Sequence, residues 1–446
     1  EVWSFDISSR GMGIKNIYLK TYTDRSGQPM LIGKSDGQAS FSTNVMGKND
    51  PLVFNISKLS DNEFVGKANF GRAQLEKRIL IDSKKHVLQS RILVSGVQEE
   101  LRFSGLTTYI SEKMQETQSG IPFLPHFERQ DIFVLHDGTE DRVFYTEEDV
   151  VQSYLKVKLA AIGTQYFAQA FLDQSDVMPE AKVSINEATK MATTVLNHNI
   201  LNRSKDFVVE YLAFAGPKSL TMLNKINENM GQIIDFGFFS GLAKFILKML
   251  NLFHSFFGNW GLSIILLTIL VRFVVLPFNL MSFRSMKKMQ AIQPLINNLR
   301  EKHKNDPQKL NQEMMSLFKT NKVNPLGGCL PMLLQFPVFI ALYQTLGQSI
   351  ELYQAPFVLW IDDLSLRDPY YILPVLMGLT MFFQQKITPT TMDPVQQKVF
   401  MVMPIIFSLF MITLPSGLTL YIFISALFAV IQQIYFMKDR KLKPAT

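Results

Sequence analysis

The 446-residue chain has one cysteine, Cys329, so no disulfide can form within it and any exported part must be held together by core packing alone. More than 200 residues make that feasible. His86, His126, His136 and His198 are scattered without metal-ligand spacing and read as surface or core residues, so no metal site and no cofactor is expected. The sequence contains no HExxH, no phosphate-cradling glycine loop and no Ser, His and Asp arrangement of recognisable spacing. Those absences leave no catalytic residue to name, exclude the common hydrolase frameworks and argue against ATP hydrolysis by this chain. Internal repeats and low-complexity tracts are also missing. The most informative absence lies in the C-terminal half, whose long apolar runs contain no Asp or Glu. Proton- and ion-coupled carriers commonly place carboxylates there.

What is present divides in two. The chain is 47% hydrophobic with 36 Phe and 22 Met, but up to about Gly216 it is mixed and polar, whereas beyond Phe236 apolar runs dominate. A soluble domain over 1–216 therefore precedes a membrane half. The net charge of +7 points to membrane topology and not to nucleic-acid recognition, because the basic residues gather beside the apolar runs.

In the soluble half, stretches rich in β-branched and aromatic residues alternate with turn signals: Gly13 to Tyr22, Leu52 to Lys58, Lys77 to Ile81, His86 to Val94, Asp131 to Leu135, Tyr154 to Phe171 and Asp206 to Phe214. So many strands imply an all-β sandwich. Residues 217–258 read as a helical connector and then an amphipathic helix in the headgroup plane. There Phe238, Leu242, Phe245, Ile246, Met249, Leu252, Phe253 and Phe256 oppose Lys244 and Lys248 before a break at Gly258-Asn259.

The first full span is Trp260 to Leu280, and it carries Arg272 near its middle. A guanidinium at that depth costs at least ~2.5 to 3.5 kcal/mol, so it should face water, a partner or the bundle interior. Thr268 lies one turn before it and Asn279 about two turns after it, so the helix has a polar seam. A helical hairpin follows over 282–322. Met281, Met286, Met289, Ile292, Ile296 and Leu299 form one face, Asn305-Asp306-Pro307 the turn, and Leu310, Met314, Leu317 and Phe318 the second face. Arg284, Lys287, Lys288, Arg300, Lys302, Lys304, Lys309, Lys319 and Lys322 mark it as cytoplasmic.

Four further spans are expected at Leu330 to Leu346, Tyr371 to Gln385, Val399 to Leu414 and Leu418 to Phe436, giving five in a core over 259–437 and a basic tail over 438–446. The acidic loop with Glu351, Asp362, Asp363 and Asp368 falls outside, and Lys386, Lys398 and the tail fall inside. The N-terminal domain is thus expected outside, the C-terminus inside, and an export signal ahead of Glu1. Within the spans Arg272 meets only neutral polar groups: Gln384 and its neighbours on one helix, Tyr421, Ser425 and Gln432 on another, plus Gln335 and Gln344. Either a water-filled cavity houses it and attracts an acidic guest, or it ties helices together through backbone carbonyls.

The span WGLSIILLTILVRFVVLPFNL, the stretch KVNPLGGCLPMLLQFPVFIALY, the segment APFVLWIDDLSLRDPYYILPVLMG and LPSGLTLY, in this order, resemble the YidC membrane protein insertases of Gram-negative bacteria over about Phe236 to Met437. The resemblance implies a periplasmic β-supersandwich and a bacterial inner-membrane location. It also implies a membrane groove containing Arg272, Thr268 and Tyr421, open to cytoplasm and lipid, with apolar contacts from two spans, such as Met332, Met403 and Phe407, guiding the incoming segment. The expected function is a membrane protein insertase and chaperone acting without nucleotide hydrolysis, not an enzyme. Its expected partners are nascent membrane protein segments and lipid, with the Sec translocon and the ribosome as further candidates. The rival reading is a small-molecule channel or transporter with an exported binding domain.

Overall fold

The computed structural model describes residues 2–34, 39–48, 50–114, 130–145, 148–202, 205–304, 306–323, 330–388 and 394–438, without side chains for 330–334, 394–396 and 437–438. Met332, Cys329, His126 and Asn305 therefore lie outside the described residues or side chains. The chain forms two compact units, Glu1–Asp235 and Phe236–Thr446.

The first unit is a layered antiparallel β structure. A nine-stranded sheet runs from an edge at Thr139–Phe144 to an edge at Asn55–Ser60; a five-stranded sheet and a three-stranded N-terminal sheet complete it. Strict alternation builds these strands: in Ala73–Asp82, Ala73, Leu75, Lys77 and Ile79 point inward and the residues between them are more exposed. Polar side chains bridge the two larger sheets, with Gln169 Nε2 donating to Glu112 Oε2 at 3.3 Å and His198 Nε2 lying 3.0 Å from Asp173 Oδ1. The expected strand Tyr154 to Phe171 is in fact two, Val157–Gly163 and Phe167–Asp173, paired antiparallel. Both are buried almost throughout, so neither shows the alternation that would have marked where one ends.

The segment after the last strand packs into this unit as α1 (Leu220–Ile226) and a 3-10 turn over Glu228–Ile233. Arg142 secures it, donating to the carbonyls of Gln232 at 2.6 Å and Ile233 at 3.2 Å and pairing with Asp131, which also lies 3.5 Å from Lys218 Nζ.

The second unit is helical: α2 (Ser240–Phe257), α3 (Trp260–Ala291), α4 (Gln293–Lys302), α5 (Pro307–Thr320), α6 (Leu330–Gln348), α7 (Ile372–Ile387), α8 (Pro394–Met411) and α9 (Ser416–Lys438). The break between α2 and α3 has a local cause. Gly258 takes the left-handed conformation, φ +65°, and donates to His254 O at 2.8 Å, while the Asn259 side chain accepts from Leu262 N at 2.9 Å. On α2, Ala243, Ile246, Leu247 and Leu250 are buried while Phe245, Leu252 and Phe256 are exposed. Among the described residues two helices, Trp260–Ala291 and Ser416–Phe436, are long and apolar enough to cross a membrane, and Ile372–Ile387 and Gln397–Met411 are shorter apolar helices.

Two helix boundaries differ from expectation: α8 covers Pro394–Met411 where the sequence predicts Val399 to Leu414, and α3 outruns its apolar stretch. α3 does not stop at Leu280 but runs through Pro277 to Ala291, so the hairpin proper is α4 and α5, standing on the end of a continuous helix. Good helix formers follow the proline, and nothing before Ile292 supplies a terminating residue. Asp306 caps α5 by accepting from Lys309 N at 3.0 Å, with Pro307 at the first helical position. Ile292, Ile296 and Val323 form the hairpin core, with Met289, Met314, Leu317 and Phe318 against it.

Candidate functional site: a polar ladder between α3 and α9

The polar seam of α3 faces α9. Arg272 Nε donates to Ser425 Oγ at 2.9 Å, its Nη2 reaches the same hydroxyl, and Asn279 Nδ2 donates to Gln432 Oε1 at 3.1 Å. Each pair is separated by 153 residues, an offset shared by Phe283 and Phe436, whose rings stack with centroids 6.2 Å apart. A constant positive offset means the two helices run parallel, and the seven-residue step between Arg272 and Asn279 and between Ser425 and Gln432 keeps successive rungs on the facing sides.

α6 contributes a third strand to the ladder, since Gln335 Nε2 donates to Ser425 Oγ at 3.1 Å. The Tyr421 ring is buried, and its hydroxyl lies near Gln335 and Ser425 without a hydrogen bond of good geometry. Thr268 is fully buried and donates to the carbonyl of Ile264 at 2.6 Å, which spends its proton on its own helix. Arg272 is 9% exposed. Its bonds to Ser425 run through Nε and Nη2, and Nη1 bonds to no described residue. No carboxylate pairs with it among the described residues.

Five of the six polar positions expected at the site, Arg272, Thr268, Tyr421, Ser425 and Gln432, thus lie along one seam. Gln384 does not join them through a side-chain bond; it is half-buried on α7 and its carbonyl accepts from Thr388 Oγ1 at 2.6 Å. A side-chain link between the end of α7 and α9, besides their packing, is made by Gln433, whose Nε2 donates to Thr388 Oγ1 at 3.0 Å, and sequence reasoning passed over that pair. The signal available was weak: a second glutamine beside Gln432 near a span end. Met403 and Phe407 sit on α8, whose principal neighbour is α7, and Met403 is exposed. Among the described residues no group of three or more His, Cys, Asp or Glu could hold a metal.

The loop between α6 and α7 closes one end of the bundle. Asn259 Nδ2 donates to Phe357 O at 3.2 Å, Ser416 N to Leu366 O at 2.6 Å, and Ser416 Oγ to Asp363 O at 3.1 Å. The starts of α3, α7 and α9 and the ends of α6 and α8 therefore gather at this loop.

Two family models match the chain: the YidC periplasmic domain over residues 1–249 and the 60Kd inner membrane protein over 252–443. A membrane protein insertase YidC of Geotalea daltonii is 44% identical over 64% of this chain and 54% of its own length. A protein of the same description from Geobacter sulfurreducens is 38% identical over 76% and 65%, and one from Geotalea uraniireducens 34% identical over 97% and 84%. The chain thus spans between about half and two thirds of the first two relatives and most of the third. A solved structure described as an active YidC insertase with the first transmembrane domain resolved aligns over 99% of this chain and 91% of its own, at 16% identity and a TM-score of 0.43.

Proposed function

The chain belongs to the YidC membrane protein insertase family, and from that premise we propose that it inserts nascent inner-membrane proteins and assists their folding, without hydrolysing nucleotide. The observation that carries the reading is Arg272: a cation within an apolar bundle, held by the neutral Ser425 and no described carboxylate, with its Nη1 bonded to no described residue. A charge so placed has unspent attraction. For a carboxylate at about 4 Å it amounts to ~4 kcal/mol at an effective dielectric near 20, before desolvation.

In this reading the α4–α5 hairpin receives a hydrophobic segment from the cytoplasm, and the groove beside Arg272 accepts its polar or acidic flank. The segment then leaves sideways into lipid, driven by roughly 25 cal/mol for each Å² of apolar surface removed from water. The exposed apolar residues of α8, Val399, Val402, Met403, Ile406 and Leu409 among them, suit that lipid side. α3, α6, α7, α8 and α9 are the five spans. Two parallel spans require an odd number of crossings between them, which α6, α7 and α8 supply. The first unit and the α6–α7 loop lie in the periplasm, the hairpin and C-terminus in the cytoplasm. α7, with 16 residues, extends only about 24 Å against a hydrocarbon core of roughly 30 Å, which favours local thinning.

The test is insertion into proteoliposomes of a substrate with an acidic translocated tail. Arg272→Ala should lower insertion by about tenfold or more, the loss of some 1.4 kcal/mol or above. Arg272→Lys should keep most of it, since an ammonium can still donate to Ser425 and supply the charge. Wild-type insertion by both variants would overturn the groove mechanism. Dependence on arginine geometry alone would favour a helix-tying role, and solute flux through the liposomes the transporter reading.

A further inference from the structure

The first unit contains a recess with a charge pattern that the insertase reading does not use. It has a volume of about 370 Å³ and is lined by Arg10, Lys15, Lys48, Asn44, Tyr109 and the backbone around Gly11 and Thr43. Among the described residues its lining includes no carboxylate, and none of the three cations is ion-paired with a described residue. Asp6, which faces Lys15 across the strand pair, is occupied by Asn16 Nδ2 at 2.7 Å.

A fourth cation lies beneath. Lys77, 1% exposed, donates to Gly11 O at 3.3 Å, Phe41 O at 2.8 Å and Thr43 Oγ1 at 3.0 Å, and has no carboxylate partner among the described residues. Gly11 and Thr43 are the floor of the recess, so a buried ammonium underlies a rim of three exposed or half-buried ones. The floor is built to be tight. Gly11 has φ +67°, and a Cβ there would fall 2.8 Å from Ser42 Cβ and 2.9 Å from Thr43 N, so the chain is pressed together at this point and only glycine fits. The three rim charges around one concavity repel each other, and Lys77 adds to them whenever its amine is protonated, a buried ammonium without a counter-charge costing several kcal/mol by general estimates. A cleft of one sign concentrates counter-ions, and an anion seated in it offsets both costs.

We propose that this recess binds a small molecule bearing a carboxylate or a phosphate, gripped by Arg10, Lys15 and Lys48 above the Lys77 floor, with Tyr109 and Asn44 as neutral contacts. The volume suits a ligand of a few to some twenty heavy atoms and excludes a folded partner. The site is independent of the membrane groove.

The experiment is calorimetric titration of the full chain in detergent with inorganic phosphate and with D-glucuronate, using glucose as the neutral control. Saturable binding of either anion and none of glucose is expected; which anion binds identifies the source of the charge. The triple variant Arg10→Gln, Lys15→Gln, Lys48→Gln should bind about tenfold more weakly or worse. A control triple at exposed lysines elsewhere, Lys84→Gln, Lys182→Gln, Lys205→Gln, removes the same charge and should bind like wild type. Equal weakening in both triples, or no saturable binding by the wild-type chain, would overturn the proposal.

Discussion

Two buried ionisable side chains pull the stability of the first unit in opposite directions as pH changes. Burial lowers Lys77 from 10.5 to about 7, and burial raises Glu112 from 4.5 to about 7 against the opposing hydrogen bond from Gln169. Between pH 4.5 and about 7 the folded chain retains a proton on Glu112 that the unfolded chain has released, so stability falls as pH rises. Between about 7 and 10.5 the unfolded chain holds the Lys77 proton that the folded chain has given up, so stability rises. These two residues therefore place a minimum near neutrality, and denaturant unfolding of the full chain across pH should show it. Lys77→Met should flatten the upper limb, to which the buried Lys218 also contributes, and Glu112→Gln the lower. Lys77 was partly legible in sequence, since it occupies an inward position in the alternation of Ala73, Leu75 and Ile79. A lysine there reads equally as a phase error until the acceptors from residues far away in sequence are seen.

At the scale of elements, the packing of α7 against its loop depends on one carboxylate. Asp368, 2% exposed, accepts from Leu373 N at 2.7 Å, Tyr370 N at 3.1 Å and Trp360 Nε1 at 3.0 Å. It caps the start of α7 and ties the loop to it. Asp368→Ala would orphan those donors at a cost of about 1 to 3 kcal/mol, measurable as a lower unfolding midpoint together with a red-shifted emission component from a wetter Trp360. Asp368→Asn should recover part of the loss. The sequence showed Asp368 only as one of several acidic residues marking a side of the membrane, because charge counting treats them alike while capping distinguishes them by geometry. The helices themselves were more legible. Gly258-Asn259 announced the α2–α3 break through local backbone preference, whereas the continuation of α3 to Ala291 was hidden by the change from apolar to amphipathic sequence near Leu280.

For the whole molecule, the shared offset of 153 residues makes α3 and α9 parallel, and the loop contacts collect alternate helix ends at one face of the bundle. That arrangement predicts sidedness. With Cys329 replaced by serine, a cysteine at Leu359, which is 84% exposed, should react with a membrane-impermeant maleimide on intact spheroplasts. A cysteine at the exposed Lys302 should react only after lysis. Labelling of both from outside, or of neither, would reject the five-span topology.

Composition and periodicity alone determined that a β-rich half precedes an apolar helical half, which runs are helices, and that Thr268, Arg272 and Asn279 share one face. These are local properties, set by side-chain alternation and helical pitch within a few turns of chain. Only the tertiary structure decided that Ser425 holds the guanidinium and is itself met by Gln335, that Gln433 and not Gln384 bonds across from α9 to the end of α7, and that Lys77 lies beneath a cationic recess. Partner choice between segments tens to hundreds of residues apart depends on which faces must be buried together, and a one-dimensional pattern shows a face without showing what covers it.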